Sequence, residues 1–267
     1  MRKKLFYLLL IAGSLTSLVS CKHDEVRLTN TYVLVHGAWQ ATYVWTTVKE
    51  QLEKAGQKVV VVELPAHGDD YTSPAHVSID VYRDKVISAI LSTKRRVILV
   101  GHSLGGVVVT AVAEQIPSKI KKLVYIGAFV PANGQSLLDL ASQDTQSQLG
   151  PSLIPSADQL TLGIIHNNIT SIFCQDGTDE VKQLVLGNYR VEPAIPFTNK
   201  VTLTGENFGR VDKYYIHTLM DHAIGIDLQN KMTEAAHIKK AFSLSTGHSP
   251  FLTQPTEVTK LLLTIGQ

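Results

Sequence analysis

Cysteine is nearly absent from this chain, which has only Cys21 and Cys174 among 267 residues. Two cysteines cannot form the framework of several disulfides that stabilises small secreted scaffolds, so the fold must rest on a hydrophobic core. Apolar residues make up 44% of the chain and charged residues only 18%. Such a composition supports a large core and excludes an intrinsically disordered chain.

The chain also lacks an excess of charge of either sign. Its formal net charge is +2, and Arg2, Lys3 and Lys4 supply three positive charges, so the remainder carries a net charge of −1. A near-neutral chain has no electrostatic reason to bind nucleic acid, and we expect no such partner. Its histidines show no HExxH or HxH spacing, and we therefore expect no metal site.

Long apolar runs are lacking too. The run from Leu5 to Leu18 is shorter than the roughly 20 residues that a membrane-spanning helix needs. It ends in Leu18-Val19-Ser20-Cys21, which resembles the lipobox of bacterial lipoprotein precursors. We therefore predict a signal peptide over residues 1–20, lipidation of Cys21 and a tether over residues 21–30, which together indicate an exported, membrane-anchored lipoprotein, periplasmic or surface-facing. An ordinary secretory signal and an uncleaved anchor are the alternatives.

Strand-like apolar runs alternate with helical patterns along the rest of the chain. This alternation is typical of an α/β fold whose parallel sheet is covered by helices on both faces. The predicted strands are residues 31–35, 59–64, 96–100, 122–129, 213–218 and 238–245, and the predicted helices are residues 46–54, 79–91, 103–115 and 256–263. We expect one domain over residues 31–267.

The stretch from about residue 131 to 200 interrupts this alternation. It is rich in Ser, Gln, Asn and Pro, has only short apolar clusters, and separates the fourth and fifth predicted strands. A connection of this length inside a compact domain is usually a functional loop or an inserted subdomain. We predict a helical cap over the carboxyl edge of the sheet.

The strongest motif is Gly101-His102-Ser103-Leu104-Gly105, a Gly-x-Ser-x-Gly pattern between a predicted strand and a predicted helix. A nucleophile elbow requires this order, because a sharp turn then presents the serine hydroxyl at the carboxyl edge of the sheet. The glycines allow the backbone to approach closely at the turn. We predict that Ser103 is a nucleophile and that the first amides of the helix favour a developing oxyanion.

A second motif, His36-Gly37-Ala38-Trp39, follows the first predicted strand. The loop at this position supplies one oxyanion donor in folds that have a nucleophile elbow. We therefore assign the oxyanion hole to the backbone N–H groups of Ala38 and Leu104, and we interpret His36 as structural. The residues assigned to substrate binding are Gly37, Trp39 and His102.

A serine hydroxyl needs an adjacent base to become a nucleophile. The chain order nucleophile, acid, base places that base after the last strand, where His248 lies in a loop. His102 is inside the elbow, but strand-turn geometry is expected to turn it away from the serine. The weaker candidates lie within a strand, at the position of the acid or at the opposite end of the sheet; they are His217, His222 and His237.

The acid is expected just past the preceding strand, where Asp221 lies. Its carboxylate would hold the His248 ring in the required tautomer and stabilise the imidazolium. Asp227, on the next helix, is the alternative. Cys174 is a poor candidate for a nucleophile, because nothing near it in sequence supplies a base.

These motifs together resemble the plant methyl esterase and hydroxynitrile lyase family of the α/β-hydrolase fold, with its bacterial esterase relatives. The matching segments are residues 33–39, 98–106, 126–131, 208–209, 213–221 and 247–250. The resemblance implies a mostly parallel six-stranded sheet with a helical cap. It also implies hydrolysis of small carboxylic esters without a cofactor, which we expect to proceed through an acyl-enzyme on Ser103.

The lyases of this family place a threonine after the first loop histidine and a lysine beside the catalytic histidine. This chain has Gly37 and Ser249 at those positions, so the cation that stabilises cyanide is missing and we predict an esterase. The alternatives are a lyase, an amide or thioester hydrolase, and a ligand-binding protein that keeps the fold without catalysis.

Overall fold

The computed structural model describes residues 29–267, so the predicted signal peptide, Cys21 and most of the predicted tether lie outside the described residues. The strands are β1 (Thr31–Val35), β2 (Lys58–Val62), β3 (Val97–His102), β4 (Ile120–Ile126), β5 (Leu153–Pro155), β6 (Thr161–Ile164), β7 (Glu192–Pro193), β8 (Lys213–Thr218) and β9 (Lys240–Leu244). The helices are α1 (Thr46–Lys54), α2 (Ile79–Ser92), α3 (Gly105–Gln115), α4 (Leu137–Ala141), α5 (Ile169–Phe173), α6 (Asp179–Gly187), α7 (Ile195–Thr198), α8 (Ile226–Ala235), α9 (Pro250–Thr253) and α10 (Pro255–Gly266).

Six strands form one sheet in the order β2-β1-β3-β4-β8-β9, and every neighbouring pair is parallel. The predicted α/β fold with a six-stranded sheet is thereby confirmed. Two predicted strands have the observed bounds, and the ends of the others differ by no more than three residues.

Helices cover both faces of this sheet, because successive side chains of a strand point to opposite sides. On β1, Tyr32 and Leu34 belong to the core that the sheet forms with α1 and α10. Val33 and Val35 belong to the core that the sheet forms with α2, α3 and α8. β1 and β3 are buried along their whole length, which explains why these strands are so rich in Val, Ile and Leu.

The strand register decides which loops meet at the carboxyl edge of the sheet. Val35 at the end of β1 is opposite Gly101 of β3, so the loop after β1 runs beside the turn after β3. Thr218 at the end of β8 is opposite Leu244 at the end of β9, so the loops that follow these two strands are also neighbours. The loops after β1, β3, β8 and β9, which carry the predicted site residues, therefore lie along the carboxyl edge of the sheet.

The segment between β4 and β8 forms a cap of mixed composition. It contains α4, α5, α6 and α7, as expected for a helical cap, but also a three-stranded antiparallel sheet in the order β5-β6-β7. These strands have three, four and two residues, which is too short for an alternating pattern to be recognised. From residue 29 onward, no helix is long and apolar enough to cross a membrane.

Candidate active site

Ser103 occupies the sharp turn between β3 and α3. Its φ of +53° lies in the left-handed region, where a residue with a side chain is strained. A Cβ atom added to Gly101 would lie 2.7 Å from the carbonyl oxygen of Gly105, and one added to Gly105 would lie 2.6 Å from that of His36. Close backbone approach therefore requires both glycines of the motif. The helix begins at Gly105 and not at Ser103 as predicted, because the serine backbone is not helical.

The loop after β1 lies directly against this turn. A Cβ atom added to Gly37 would lie 2.7 Å from the Cβ atom of Ser103 and 2.8 Å from Nδ1 of His102. Ala38 and Leu104 line the same cavity as Ser103, and their backbone N–H groups are the predicted donors. Neither N–H donates a hydrogen bond to any group within residues 29–267. Two free N–H groups beside a serine are the arrangement that an oxyanion hole needs.

Asp221 and His248 form a buried hydrogen-bonded pair. Nδ1 of His248 lies 2.8 Å from Oδ2 of Asp221, and this oxygen also accepts from Oγ1 of Thr218 at 2.7 Å. Oδ1 of Asp221 accepts from the backbone N–H groups of Ala223 and Ile224 at 2.7 and 2.9 Å. In all four bonds the carboxylate oxygens of Asp221 act as acceptors. The carboxylate is therefore held in one orientation against the imidazole.

Gln229 holds the loop that carries Asp221 and was not predicted from the sequence. Its buried amide on α8 accepts from the N–H of Thr218 and donates to Oγ1 of Thr218, at 3.1 Å in both cases. It also donates to the carbonyl oxygens of Thr218 and Ile224, at 3.1 and 2.8 Å. Nothing in the local sequence distinguishes this glutamine from an exposed one, so only the packing of α8 on β8 identifies it.

His102 braces the loop of His248 and does not border the cavity. Its Nε2 lies 2.9 Å from the carbonyl oxygen of His248, and the two ring centroids are 4.5 Å apart. Burial lowers the pKa of His102 well below its usual range, so the ring is neutral and the Nε2 proton is the one donated. His102 and Gly37 are not among the residues that line the cavity beside Ser103. Their assignment to substrate binding stays a prediction; Gly37 lies against Ser103, and His102 lies against the loop of His248.

His36 also has a structural position. Its Nε2 accepts from the N–H of Leu64 at 3.2 Å, and its Nδ1 donates to the carbonyl oxygen of Gly37 at 2.9 Å. Burial lowers the pKa of His36 and outweighs the opposing influence of Glu63, whose carboxylate lies 3.3 Å away. A neutral His36 ties the loop after β1 to the end of β2, as the interpretation from the sequence proposed.

A cavity of about 430 Å³ lies between Ser103 and the cap. Trp39, one of the predicted substrate-binding residues, lines it together with apolar side chains of the cap. Within the described chain, the lining includes one ionisable side chain, Asp144, and neither lysine nor arginine. The lining residues are Ala38, Trp39, Ser103, Leu104, Phe129, Leu137, Leu138, Ala141, Ser142, Asp144, Thr145, Ser147, Leu149, Gly150, Pro151, Leu153, Phe197 and Ala223.

The other candidates from the sequence lie apart from this arrangement. Asp227 is exposed in the first turn of α8. The ring of His222 binds the carbonyl oxygen of Ser171 at 2.7 Å. Burial raises the pKa of the Cys174 thiol to about 11, so this cysteine is not a thiolate at neutral pH. Across residues 29–267, no three His, Cys, Asp or Glu side chains are grouped to hold a metal ion.

The Ser103 hydroxyl forms no hydrogen bond with any residue from 29 to 267. Hydrogen bonds between a catalytic serine and its base are often long until substrate binds. The missing hydrogen bond is therefore compatible with Ser103 and His248 as nucleophile and base. The contact of His102 with the His248 loop, and of Gly37 with Ser103, brings the predicted nucleophile, base and donors to the same end of β1 and β3.

A six-stranded parallel sheet with a strained serine after its third strand defines an α/β hydrolase. The chain belongs to the alpha/beta hydrolase family, whose sequence pattern matches residues 32–261. It is 32% identical to the putative methylesterase 11, chloroplastic, of Arabidopsis thaliana over 92% of this chain, and it spans 66% of that relative's length. It is 25% identical to the alpha-hydroxynitrile lyase of the same plant, covering 85% of this chain and 93% of the lyase. The resemblance seen in the sequence is thereby confirmed.

Solved structures agree with this assignment. Polyneuridine aldehyde esterase superposes with a TM-score of 0.77 at 24% identity, covering 90% of this chain and all of that one, which shows the shared fold. An extracellular alpha/beta-hydrolase from a Paenibacillus species superposes with a TM-score of 0.76 at 25% identity, covering 88% and 98% of the two chains. That protein is described as a structural and functional homologue of tobacco salicylic acid binding protein 2.

Proposed function

We propose that this protein is a serine hydrolase of small, neutral carboxylic esters, with Ser103 as nucleophile, His248 as base and Asp221 as acid. The observation that carries the proposal is the buried 2.8 Å hydrogen bond between His248 and Asp221, at the same sheet edge as a serine with positive φ. A ligand-binding protein has no need for a strained serine and an oriented imidazole together.

The orientation of His248 defines the proton transfer. Because its Nδ1–H donates to Asp221, the Nε2 lone pair is available to take the Ser103 proton. The serine oxygen then bonds to the ester carbonyl carbon, and the displaced electron pair moves to the carbonyl oxygen. The N–H groups of Ala38 and Leu104 would donate hydrogen bonds to this oxyanion. Each such donor typically raises kcat by a factor of about 10²–10³.

Collapse of the tetrahedral intermediate completes the first half of the reaction. The bond to the alcohol oxygen breaks, His248 returns its proton to that oxygen, and the acyl group remains on Ser103. Water then repeats the sequence: His248 removes a water proton, the hydroxide oxygen bonds to the acyl carbon, and Ser103 leaves with the proton that His248 holds. Asp221 stays ionised throughout and stabilises the imidazolium.

The cavity lining favours an uncharged substrate with an apolar acyl group. A carboxylate on the substrate would be buried without a cationic partner and would lie near Asp144. The likeness to a plant protein named as a putative methylesterase supports a methyl ester, whose leaving group is small.

The lyase alternative has less support. Ser249, at the position where the lyases carry a lysine, is buried and its Oγ accepts from Nε2 of Gln40 at 2.9 Å. Position 249 therefore supplies no cation beside His248 to stabilise cyanide as it leaves. An amide or thioester hydrolase would use the same groups, so the choice between these bonds depends on substrate assays.

The test is to replace Ser103 by alanine and to measure turnover of p-nitrophenyl acetate and of a panel of methyl aryl esters. We expect turnover to fall at least about 10³-fold, to the residual level that oxyanion donors and binding provide. Ser118→Ala, at an exposed serine after α3, is the matched control and should retain full activity. Undiminished turnover in Ser103→Ala would refute the nucleophile. An acyl adduct on Ser103 that is never released would favour a binding protein, and cyanohydrin cleavage would favour a lyase.

A further inference from the structure

Trp39, next to the proposed oxyanion donor Ala38, is held by the cap at two points. Its backbone N–H donates to Oε2 of Glu192 at 2.7 Å, and its indole Nε1–H donates to the carbonyl oxygen of Leu162 at 2.8 Å. Leu162 and Glu192 are paired with each other across β6 and β7. The small sheet of the cap therefore anchors Trp39 in the loop after β1.

Glu192 belongs to a buried ion pair that the proposed mechanism does not use. Its side chain is fully buried, and Oε2 lies 2.8 Å from Nε2 of His67. Nδ1 of His67 lies 3.0 Å from the carbonyl oxygen of Pro65, which can only accept. With Glu192 as a carboxylate, both ring nitrogens of His67 act as donors and the ring is an imidazolium; Oε1 of Glu192 has no hydrogen-bond partner among residues 29–267.

We propose that Glu192 is a positioning residue for the oxyanion-hole loop, and that charged His67 holds Glu192 in place so that the cap and the loop are coupled by this ion pair. The proposal rests on the proposed function in one respect: the loop matters for turnover only if Ala38 is an oxyanion donor. The coupling of Trp39 to the cap stands on the contacts alone.

The backbone of Trp39 explains why this anchor matters. Its φ of +56° is strained for a tryptophan, so the loop keeps this conformation only where its surroundings impose it. Loss of the Glu192 acceptor would release the N–H of Trp39 and allow the adjacent peptide to rotate, which would move the N–H of Ala38. A displacement of about 1 Å in a catalytic group can cost about 10²-fold in rate.

The electrostatic surroundings favour a charged His67. Burial alone would lower its pKa, but the charge and hydrogen bond of Glu192 outweigh burial, and the pKa of His67 is raised above its ordinary value. The groups that face it from the packed elements are Glu192 of the cap, Glu63 after β2, His36 after β1 and Tyr82 of α2, and Arg190 of the cap donates to the carbonyl oxygen of the adjacent Gly68. Because the folded-state pKa is raised, the positive charge on His67 persists to higher pH than in the unfolded chain and is lost as the pH rises through the folded-state pKa.

The kinetic test compares Glu192→Ala, Glu192→Gln and Glu180→Gln, with rates normalised to the number of active sites from the p-nitrophenol burst. Glu192→Ala removes the acceptor, and we expect kcat to fall about 10–100-fold while KM changes less than about threefold. Glu192→Gln keeps an oxygen acceptor for the N–H of Trp39, so its kcat should lie close to the wild-type value and well above that of Glu192→Ala. Glu180, an exposed cap carboxylate, is the control. An unchanged kcat per active site in Glu192→Ala would overturn the positioning role.

A second test needs no turnover. The chain has two tryptophans, so Trp45→Phe leaves Trp39 as the single emitter. We expect its emission to change as the pH is raised and His67 loses its proton, and we expect His67→Gln to abolish this change. His248→Gln, measured in the same background, should leave it intact. Persistence of the transition in His67→Gln would overturn the coupling. If the transition is present but wild-type protein cleaves no ester, the proposed function fails and the coupling stands.

Discussion

Nδ1 of His248 lies 2.8 Å from Oδ2 of Asp221, although 27 residues separate them in the chain and each follows a different strand of the sheet. Parallel pairing of β8 with β9 produces this contact, because it aligns the carboxyl ends of the two strands and hence the loops after them. The backbone amides of Ala223 and Ile224 fix the other carboxylate oxygen. The acid is therefore oriented before any substrate binds.

Replacing Asp221 by asparagine should lower kcat by about 10³–10⁴-fold, because an amide cannot hold the required tautomer of His248 or stabilise its cation. Steady-state kinetics on a p-nitrophenyl ester measures this change. Asp227→Asn is the matched control, since Asp227 is exposed and makes no contact with His248. If the two variants lose activity equally, Asp221 is not the acid.

Replacing Gly37 by alanine should reduce kcat by about 10²-fold, because the added methyl group would lie 2.7 Å from the Cβ atom of Ser103 and force the turn or the loop to move. Gly205→Ala is the control, as a Cβ atom there would meet no atom within 4 Å. Thermal unfolding should be recorded for both variants so that lost activity is not confused with lost structure. Wild-type kcat in Gly37→Ala would contradict the tight contact of these two segments.

Replacing Glu114 by glutamine should destabilise the fold in a pH-dependent way. The carboxylate at the end of α3 accepts hydrogen bonds from the backbone N–H groups of Thr204 and Phe208 at 2.9 and 3.1 Å. It also accepts from Oγ1 of Thr204 at 2.8 Å and Nδ2 of Asn207 at 3.2 Å. Partial burial would raise the pKa of Glu114, but these bonds outweigh burial and lower it.

A lowered folded-state pKa means that the charged carboxylate stabilises the protein above the ordinary pKa and that this stabilisation is lost as the pH falls through the folded pKa. We expect the free energy of unfolding of Glu114→Gln to be lower by about 1–3 kcal/mol at pH 7, with the difference shrinking in acid. Urea unfolding at several pH values measures it, with exposed Glu50→Gln as control. A difference that is constant with pH would exclude this explanation.

Replacing Cys21 by serine tests the predicted lipoprotein signal, which lies outside the described residues. We expect the full chain expressed in a bacterium to partition into the detergent phase of Triton X-114, and Cys21→Ser to remain in the aqueous phase, because two or more acyl chains give stable anchoring. Cys174→Ser is the control. Equal partitioning of wild type and Cys21→Ser would indicate an ordinary secretory signal or an uncleaved anchor.

The elbow illustrates which features can be read locally. Gly101, Ser103 and Gly105 lie within five residues of each other, and their spacing between a valine-rich strand and an apolar helix determines a turn that places the serine at the sheet edge. His248 and Asp221 can be located in the same way, since each lies in the loop that follows a predicted strand. The chain order nucleophile, acid, base then predicts, without coordinates, that the three residues lie close together.

The assignments of residues to substrate binding stay predictions, because they depend on side-chain direction. Trp39 lines the cavity, Gly37 lies against the turn, and His102 binds the carbonyl oxygen of His248. The cap sheet escaped prediction because its strands are too short to show a period.

The sequence by itself determined the fold class, the positions of the six core strands and the identities of the proposed nucleophile, base and acid, because those depend on local periodicity and on chain order. Only the tertiary structure revealed Gln229 behind Asp221, and Glu192 with His67 behind Trp39. Glu192 is 153 residues from Trp39 and 125 from His67. Contacts over such separations arise from how the cap folds back on the sheet, and no short segment of sequence contains that information.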